Sequence, residues 1–287
     1  MSAVRRVLLK GVLAFGVMGL SVVNPALAQE ELTDWARIEK AGVLKVAVYN
    51  YLAPYSHEGK GIDVDIATLL AAKLGLKVQI RAFNEGEEFT DDLRAMVVRG
   101  HYLAGPPADI LMHAPIDDYV MKKETQVLFF NPYVRDDIYI ARNIKELPDL
   151  TSLEPFATPG RKIGAEVASL SSVVLAGGDS GAYVNNLNNF KTPQEAVAEL
   201  VKGNLVAVMA TRAELEAALK GVPNRDQFYV ARIPHTSLPP KGWVAGMATR
   251  KDNIELARRL TVAMDELRAS GEIEKVFARY GVTYMKP

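Results

Sequence analysis

Apolar residues along this chain fall into two rhythms, short β-branched runs and stretches of helical spacing. Val43 to Tyr49 (VLKVAVY) is a compact β-branched run with the make-up of a buried strand. Gly59 to Gly61 interrupts the chain. From Asp63 the apolar positions Ile66, Leu69, Leu70 and Leu74 recur at the spacing of one helix face, closed by Gly75. Asp63 or Asp65 is expected to cap that helix, where the dipole also favours a carboxylate. Leu76 to Arg81 predicts a returning strand. A strand–helix–strand unit this short implies parallel strands and a right-handed crossover. It sets the loop Asn50 to Lys60 at the carboxyl edge of the sheet, where ligands of open α/β sheets bind. Tyr51, Pro54, Tyr55 and His57 make that loop rich in aromatic rings. They either cover the end of the helix or face a ligand.

The same reading extends along the chain. Leu32 to Lys40 predicts a short helix that lays Trp35 and Ile38 on the body. Glu85 to Asp92 (EGEEFTDD) is acidic and leads into a helix through Met96 and Val97, with Thr90 as expected N-cap and Gly100 as stop. Its carboxylates are of the kind a hard cation takes, but no EF-hand spacing is present, and acids ahead of a helix suit its dipole. Ala108 to Met112 predicts a buried strand, so His113 to Asp117 falls at its carboxyl end. His113 is a candidate ligand contact or proton donor, or a histidine satisfied by a local hydrogen bond. Gln126 to Arg142 pairs two β-rich runs about a Pro-Tyr break.

Lys162 to Val167 predicts a strand, after which Ala168 to Ser172 (ASLSS) opens a helix. The hydroxyls of Ser169 and Ser171 and the free amide groups there suit an anion or polar ligand, and Ser169 also reads as a plain N-cap. Gly177 to Asn189 reads as a surface loop. Thr192-Pro193-Gln194-Glu195 is a helix start with a capping box. Leu205 to Met209 predicts a strand with Thr211 and Arg212 at its end, Arg212 facing a cleft or simply starting the next helix. Ile233 to Gly246 is a stiff, proline-rich return connection. The closing helix is expected to take Asp252 as cap and Glu255 as its capping-box partner, with Leu256, Leu260, Met264 and Leu267 on one face. A shorter helix through Ile273, Val276, Phe277 and Tyr280 follows it.

Composition narrows the classes. At 287 residues, with 49% hydrophobic and 24% charged side chains, the chain suits one large or two moderate soluble domains. Arg5, Arg6 and Lys10, the apolar run Gly11 to Val23 and Ala26-Leu27-Ala28 follow the order of a secretory signal peptide over residues 1–28. The apolar run is too short to span a bilayer. Its removal would leave the chain mildly acidic, so neither nucleic acid nor an anionic membrane surface is an expected partner. The absence of cysteine excludes thiol catalysis, cysteine-ligated zinc and covalent c-type haem. No cofactor is expected.

In order and sequence these pieces resemble the type II periplasmic solute-binding fold over nearly all of the chain after the signal peptide. GIDVDIATLLAAKLGLKVQI, the FFNPY segment ending at Tyr133, GNLVAVMATRAEL and RKDNIELARRLTVAMDELRASGEIEKVFARYG carry the likeness. The resemblance implies an α/β protein of two lobes with a ligand cleft between them and two hinge crossovers. Lobe I would comprise residues 29–137 and 244–287, and lobe II residues 138–243. Hinge closure on a ligand is the usual motion of the group. Amino-acid-binding members hold the ligand carboxylate with an arginine, where this chain offers Lys122 or Lys123. Their second-lobe threonine pair becomes Ser169-Leu170, and their ammonium-binding acid falls at Thr211. A lysine is no bidentate fork and a threonine neutralises no ammonium, so an α-amino acid is a poor candidate ligand.

RGHYLAGPPADILMHAPID, NPYVRDDIYIA and LPPKGWVAGMA further resemble the XoxJ/MxaJ group, closer to XoxJ. These are periplasmic partners of pyrroloquinoline-quinone methanol dehydrogenases and their c-type cytochrome. The likeness implies a non-catalytic role in activating or assembling a calcium- or lanthanide-dependent dehydrogenase through the cleft. His101, Tyr102, His113, Arg135 and Trp243 are its group-specific positions. With Tyr51, Tyr55, Asp117, Tyr133, Ser169, Ser171, Thr211 and Arg212 they form the candidate cleft set, and no residue is expected to bind metal. The alternative is a receptor delivering a small polar solute to an ABC permease. A third class, a periplasmic dehydratase on the same fold, would draw on His113, Asp117 and Asp118, which show no nucleophile–base arrangement.

Overall fold

The chain traces, in a computed structural model, an α/β architecture of two sheets; residues 33–101 and 105–287 are described. The expected signal peptide and Tyr102 lie outside them. After a short helix α1 (Asp34–Ala41) comes β1 (Val43–Tyr49), followed by a small hairpin, β2 (Tyr51–Leu52) and β3 (Ser56–His57). Helix α2 (Ile62–Lys73) then leads to β4 (Lys77–Phe83), which runs parallel to β1 from Val43↔Lys77 to Tyr49↔Phe83. A short helix α3 (Phe89–Leu93) continues as a π-helical turn to Val98. It precedes β5 (Ile110–Pro115), α4 (Asp118–Lys123) and the long β6 (Val127–Asp136).

The chain then passes directly into β7 (Ile138–Asn143) of the second sheet. That sheet gathers β8 (Ile163–Glu166), β9 (Leu187–Phe190), β10 (Ala207–Thr211) and β11 (Phe228–Ala231), with helices α5 (Leu170–Gly177), α6 (Pro193–Val201) and α7 (Arg212–Ala218) between them. β12 (Trp243–Arg250) returns to the first sheet, followed by α8 (Ile254–Ala269) and α9 (Glu272–Arg279). The strand orders are β4-β1-β5-β12-β6 and β11-β7-β10-β8-β9. Both lobes thus combine parallel strands with antiparallel ones supplied by the crossovers.

The first core gathers where α2, α8 and α9 lie on the sheet. Ile62, Ile66 and Leu70 of α2, Leu260 and Met264 of α8 and Phe277 of α9 are fully enclosed there. Each such side chain contributes about 1.5–3 kcal/mol on burial. A second cluster, with Phe156, Ile163, Leu175 and Met209, fills the other lobe.

Several local expectations are corrected. Gly61, not an aspartate, stands at the N-cap of α2 with φ 139°. A side chain there would strike the Tyr55 carbonyl, and Asp63 is instead turned into the core. Helix α3 starts behind Glu88; Thr90 gives its hydroxyl to Glu124 at 2.7 Å rather than capping. β5 runs on to Pro115, so His113 lies within the strand, at φ 59°. β6 continues through Pro132 and Tyr133, absorbing the break with a register shift opposite Ala245 and Met247. The expected loop Gly177 to Asn189 holds two 3₁₀ turns and β9.

Thr192 caps α6, but Glu195 accepts from Lys191 N, and the reciprocal box forms instead at Thr211 and Glu214. Asn253 stands at the start of α8 without a side-chain cap, because Arg250 grips Asp252 at 2.8 Å and Arg259 grips Glu255 at 2.8 Å.

Candidate ligand-binding site

Parallel strands end where the next helix begins, so their carboxyl ends share one edge and leave a crevice beside it. Here Tyr49 ends β1, Asn84 and Glu85 follow β4, and His113 and Pro115 close β5. Glu166 ends β8 in the second lobe, and Trp243 and Ala245 open β12. Together with Tyr51, Leu52 and Phe89 these residues line a cavity of about 630 Å³, within the range of small-molecule sites. Both lobes contribute to it.

Its walls are mostly apolar and aromatic, and its charges are acidic. Glu166 is half-buried, and burial raises its carboxyl pKa, with the charge of Glu85 adding to the rise. Neither carboxylate has a hydrogen-bond or ion-pair partner among the described residues. No lysine or arginine among the described residues lines the cavity. Tyr49 donates to Asp92 at 3.1 Å, and Asp92 also accepts from Gly86 N at 2.9 Å, which braces the acidic turn. Burial raises the Asp92 carboxyl while these hydrogen bonds oppose the rise.

A buried polar network supports the cavity floor. Tyr133 donates to Asp63 at 2.5 Å and accepts from His113 N at 3.0 Å. His113 Nδ1 lies 3.3 Å from the other Asp63 oxygen, and its ring packs on Tyr55 at 4.0 Å between centroids. The pairing turns Nδ1 to the protein interior, while the residue itself lines the cavity. Tyr55 in turn donates to Asp136 at 2.8 Å, at the point where β6 leaves the lobe. Burial raises the Asp136 carboxyl, against hydrogen bonds from Tyr55 and Asp137 N. Next to it, Asp137 pairs with Arg232 of the return segment, tying the two crossovers together.

Of the candidate cleft residues, Tyr51, His113 and Trp243 line the cavity. Tyr55 and Tyr133 are buried beneath it, because their hydroxyls are taken up by Asp136 and Asp63. Asp117 caps α4, accepting from Tyr119 N at 2.9 Å. Arg135 points to the return segment, donating to the Lys241 carbonyl at 2.9 Å. Ser169 caps α5 through Ser172 N at 3.1 Å, and Ser171, two residues after it, is enclosed. Thr211 is the cap of α7, and Arg212 pairs with Glu216 at 2.8 Å with its guanidinium over Tyr139. His101 forms a bridge with Gly105 away from the cavity. Lys122 and Lys123 are exposed in the last turn of α4.

The lining residues that sequence reasoning passed over are chiefly Tyr49, Glu85, Phe89 and Glu166. A signal was present: Tyr49, Glu85 and Glu166 all stand at the carboxyl ends of strands. In sequence Glu85 belongs to a helix-start acid run and Glu166 to the expected strand Lys162 to Val167, and only the fold brings them together.

Among the described residues no group of three or more His, Asp or Glu side chains is placed to hold a metal ion. No helix among them is long and apolar enough to cross a membrane. The sequence matches no family model and no curated protein. Solved structures do match. An ancestral cationic amino acid solute-binding protein is 21% identical with TM-score 0.67, over 85% of this chain and 98% of its own. The fold is that of the type II solute-binding proteins. A polar amino acid ABC uptake transporter substrate-binding protein from Streptococcus thermophilus is 16% identical with TM-score 0.65, over 89% of this chain and 92% of its own. An ancestral arginine-binding protein bound to arginine is 25% identical with TM-score 0.53, over 83% of this chain and 98% of its own. Most such neighbours are binding proteins rather than enzymes; one is described as a precursor of cyclohexadienyl dehydratase.

Proposed function

We propose that this chain is a non-catalytic solute-binding protein that takes a small polar solute into the cavity between its lobes and presents it to an ABC permease. The observation that carries this reading is the cavity itself, built from strand ends of both lobes in a fold shared with transporter receptors. A ligand touching Glu85 on one side and Glu166 on the other would favour the closed arrangement of the lobes. A periplasmic setting, with the first 28 residues as its export signal, belongs to the same reading. Calorimetric titration of the purified protein with a panel of amino acids, organic acids and amines tests it. Micromolar, saturable binding lost in Trp243→Ala supports it, and silence across the panel counts against it.

A second reading is the dehydrogenase accessory role that the likeness to XoxJ and MxaJ implies. One observation favours it: the cavity offers no cation for an amino-acid carboxylate among the described residues, and Ser169 and Thr211 are spent as helix caps. Titration with purified apo and holo methanol dehydrogenase, run beside the solute panel, separates the two. Saturable binding to the dehydrogenase, weakened by Arg135→Ala or Trp243→Ala, would support the accessory role. A silent dehydrogenase with a bound solute would exclude it. Turnover forms no part of either reading.

A further inference from the structure

The cavity's charge is uncompensated. Glu85 arrives from the first lobe and Glu166 from the second, and they meet only there. The side-chain carboxylate of each lacks a hydrogen-bond or ion-pair partner among the described residues. Glu166 is half-buried and Glu85 exposed at the cavity wall, and an unpaired carboxylate in either setting attracts a positive charge brought beside it. The aromatic rings point the same way. The chain's own guanidinium groups lie over Trp35, Phe83, Tyr139 and Tyr229, none of which lines the cavity. Tyr49, Phe89 and Trp243 around the two acids have no cation over them among the described residues. A cation over such faces is attracted to the ring quadrupole, most strongly over tryptophan.

We propose that the cavity takes a small organic cation, an amine, guanidine or quaternary ammonium that carries no carboxylate. Glu85 and Glu166 balance its charge from opposite lobes, and the aromatic rings enclose its apolar shell. A carboxylate on the ligand would meet two like charges and no lysine or arginine among the described lining residues. The inference rests on the solute-binding reading and narrows its substrate class.

The test is titration of the purified protein with choline, tetramethylammonium and agmatine, against 3,3-dimethyl-1-butanol as the neutral counterpart of choline and succinate as an anion. At least one cation is expected to saturate, and choline to bind about tenfold or more tighter than its neutral counterpart. Glu85→Gln and Glu166→Gln should each weaken the saturating cation by about tenfold while leaving the neutral compound and the thermal midpoint nearly unchanged. The inference is overturned if no cation saturates, if choline and its neutral counterpart bind alike, or if both glutamine variants bind the cation like the parent. Saturable binding of succinate or the neutral alcohol with no cation saturating, lost in Trp243→Ala, would overturn the cation and leave the solute-binding reading standing.

Discussion

Tyr55 Oη donates to Asp136 Oδ2 across 2.8 Å, joining the loop after β1 to the last residue of β6. Both residues are nearly inaccessible. The bond fixes the first crossover against the body of the first lobe, and Asp137 fixes the second crossover through Arg232.

Removing that hydroxyl leaves a buried carboxyl group short of a donor. Tyr55→Phe is expected to cost about 1–3 kcal/mol of stability in urea unfolding. In a double-mutant cycle with Asp136→Asn the two changes should be non-additive by about 0.5 kcal/mol or more. Additive losses would mean the hydroxyl and the carboxyl do not act on one another.

Glu214 gives a pH signature. It accepts from Thr211 N at 2.9 Å and Thr211 Oγ1 at 2.8 Å, yet enclosure beside Asp136 and Glu166 pushes its pKa up to about 7. Burial is the largest cause, and the hydrogen bonds oppose it. The folded state therefore holds this proton more tightly than the unfolded chain does. The associated stability is full below about pH 4.5 and is lost as pH rises through about 7, with an upper bound of about 3 kcal/mol. Glu214→Gln should flatten that fall and be more stable than the parent at pH 8. A variant whose unfolding free energy keeps the parent's slope across that window would refute the assignment.

Gly242 sits at φ 62° immediately before Trp243. A β-carbon there would fall on the Asp136 carbonyl and come within 2.8 Å of the Asp137 side chain. Gly242→Ala is expected to cost about 2 kcal/mol or more and to displace the crossover on which Trp243 stands. Melting temperature reports the first effect, and Trp243 fluorescence the second.

The chain has two tryptophans, and they report different places. Trp35 is buried under Arg259, 4.3 Å from guanidinium to ring centroid, while Trp243 lines the cavity. In a Trp35→Phe protein, a cavity ligand should change the remaining emission. A Trp243→Phe protein should stay unresponsive to the same ligand. Equal responses from both would place binding elsewhere.

What was legible in the sequence was what is local. The unit from β1 through α2 to β4 follows from apolar spacing and glycine stops, and Ser169 acts as the cap its position suggested. The polar network was not legible, because its partners are far apart in sequence. Asp63 reads as a helix-start acid until Tyr133, seventy residues on, gives it a hydroxyl. Arg212 fits a cleft residue or a helix start equally well in sequence, and its pairing with Glu216 one turn later shows it on the helix. Glu85 and Glu166 belong to different sheets, and no pattern within either segment relates them.

The second sheet is drawn from one continuous run of chain, Ile138 to Ala231, and the first is divided by it. β12 fills the place between β5 and β6 and is the strand against which β6 pairs. A ribosome that has reached Arg232 has made every strand of one lobe and left the other with a gap in its middle. The apolar surface awaiting Leu260, Met264 and Phe277 is still bare at that moment. Such non-local pairing closes late. A prematurely ended copy would carry one complete sheet beside an open, sticky one, an obvious target for proteolysis. Trp243 and Ala245 arrive on the same late strand, so only a nearly finished chain possesses the cavity at all.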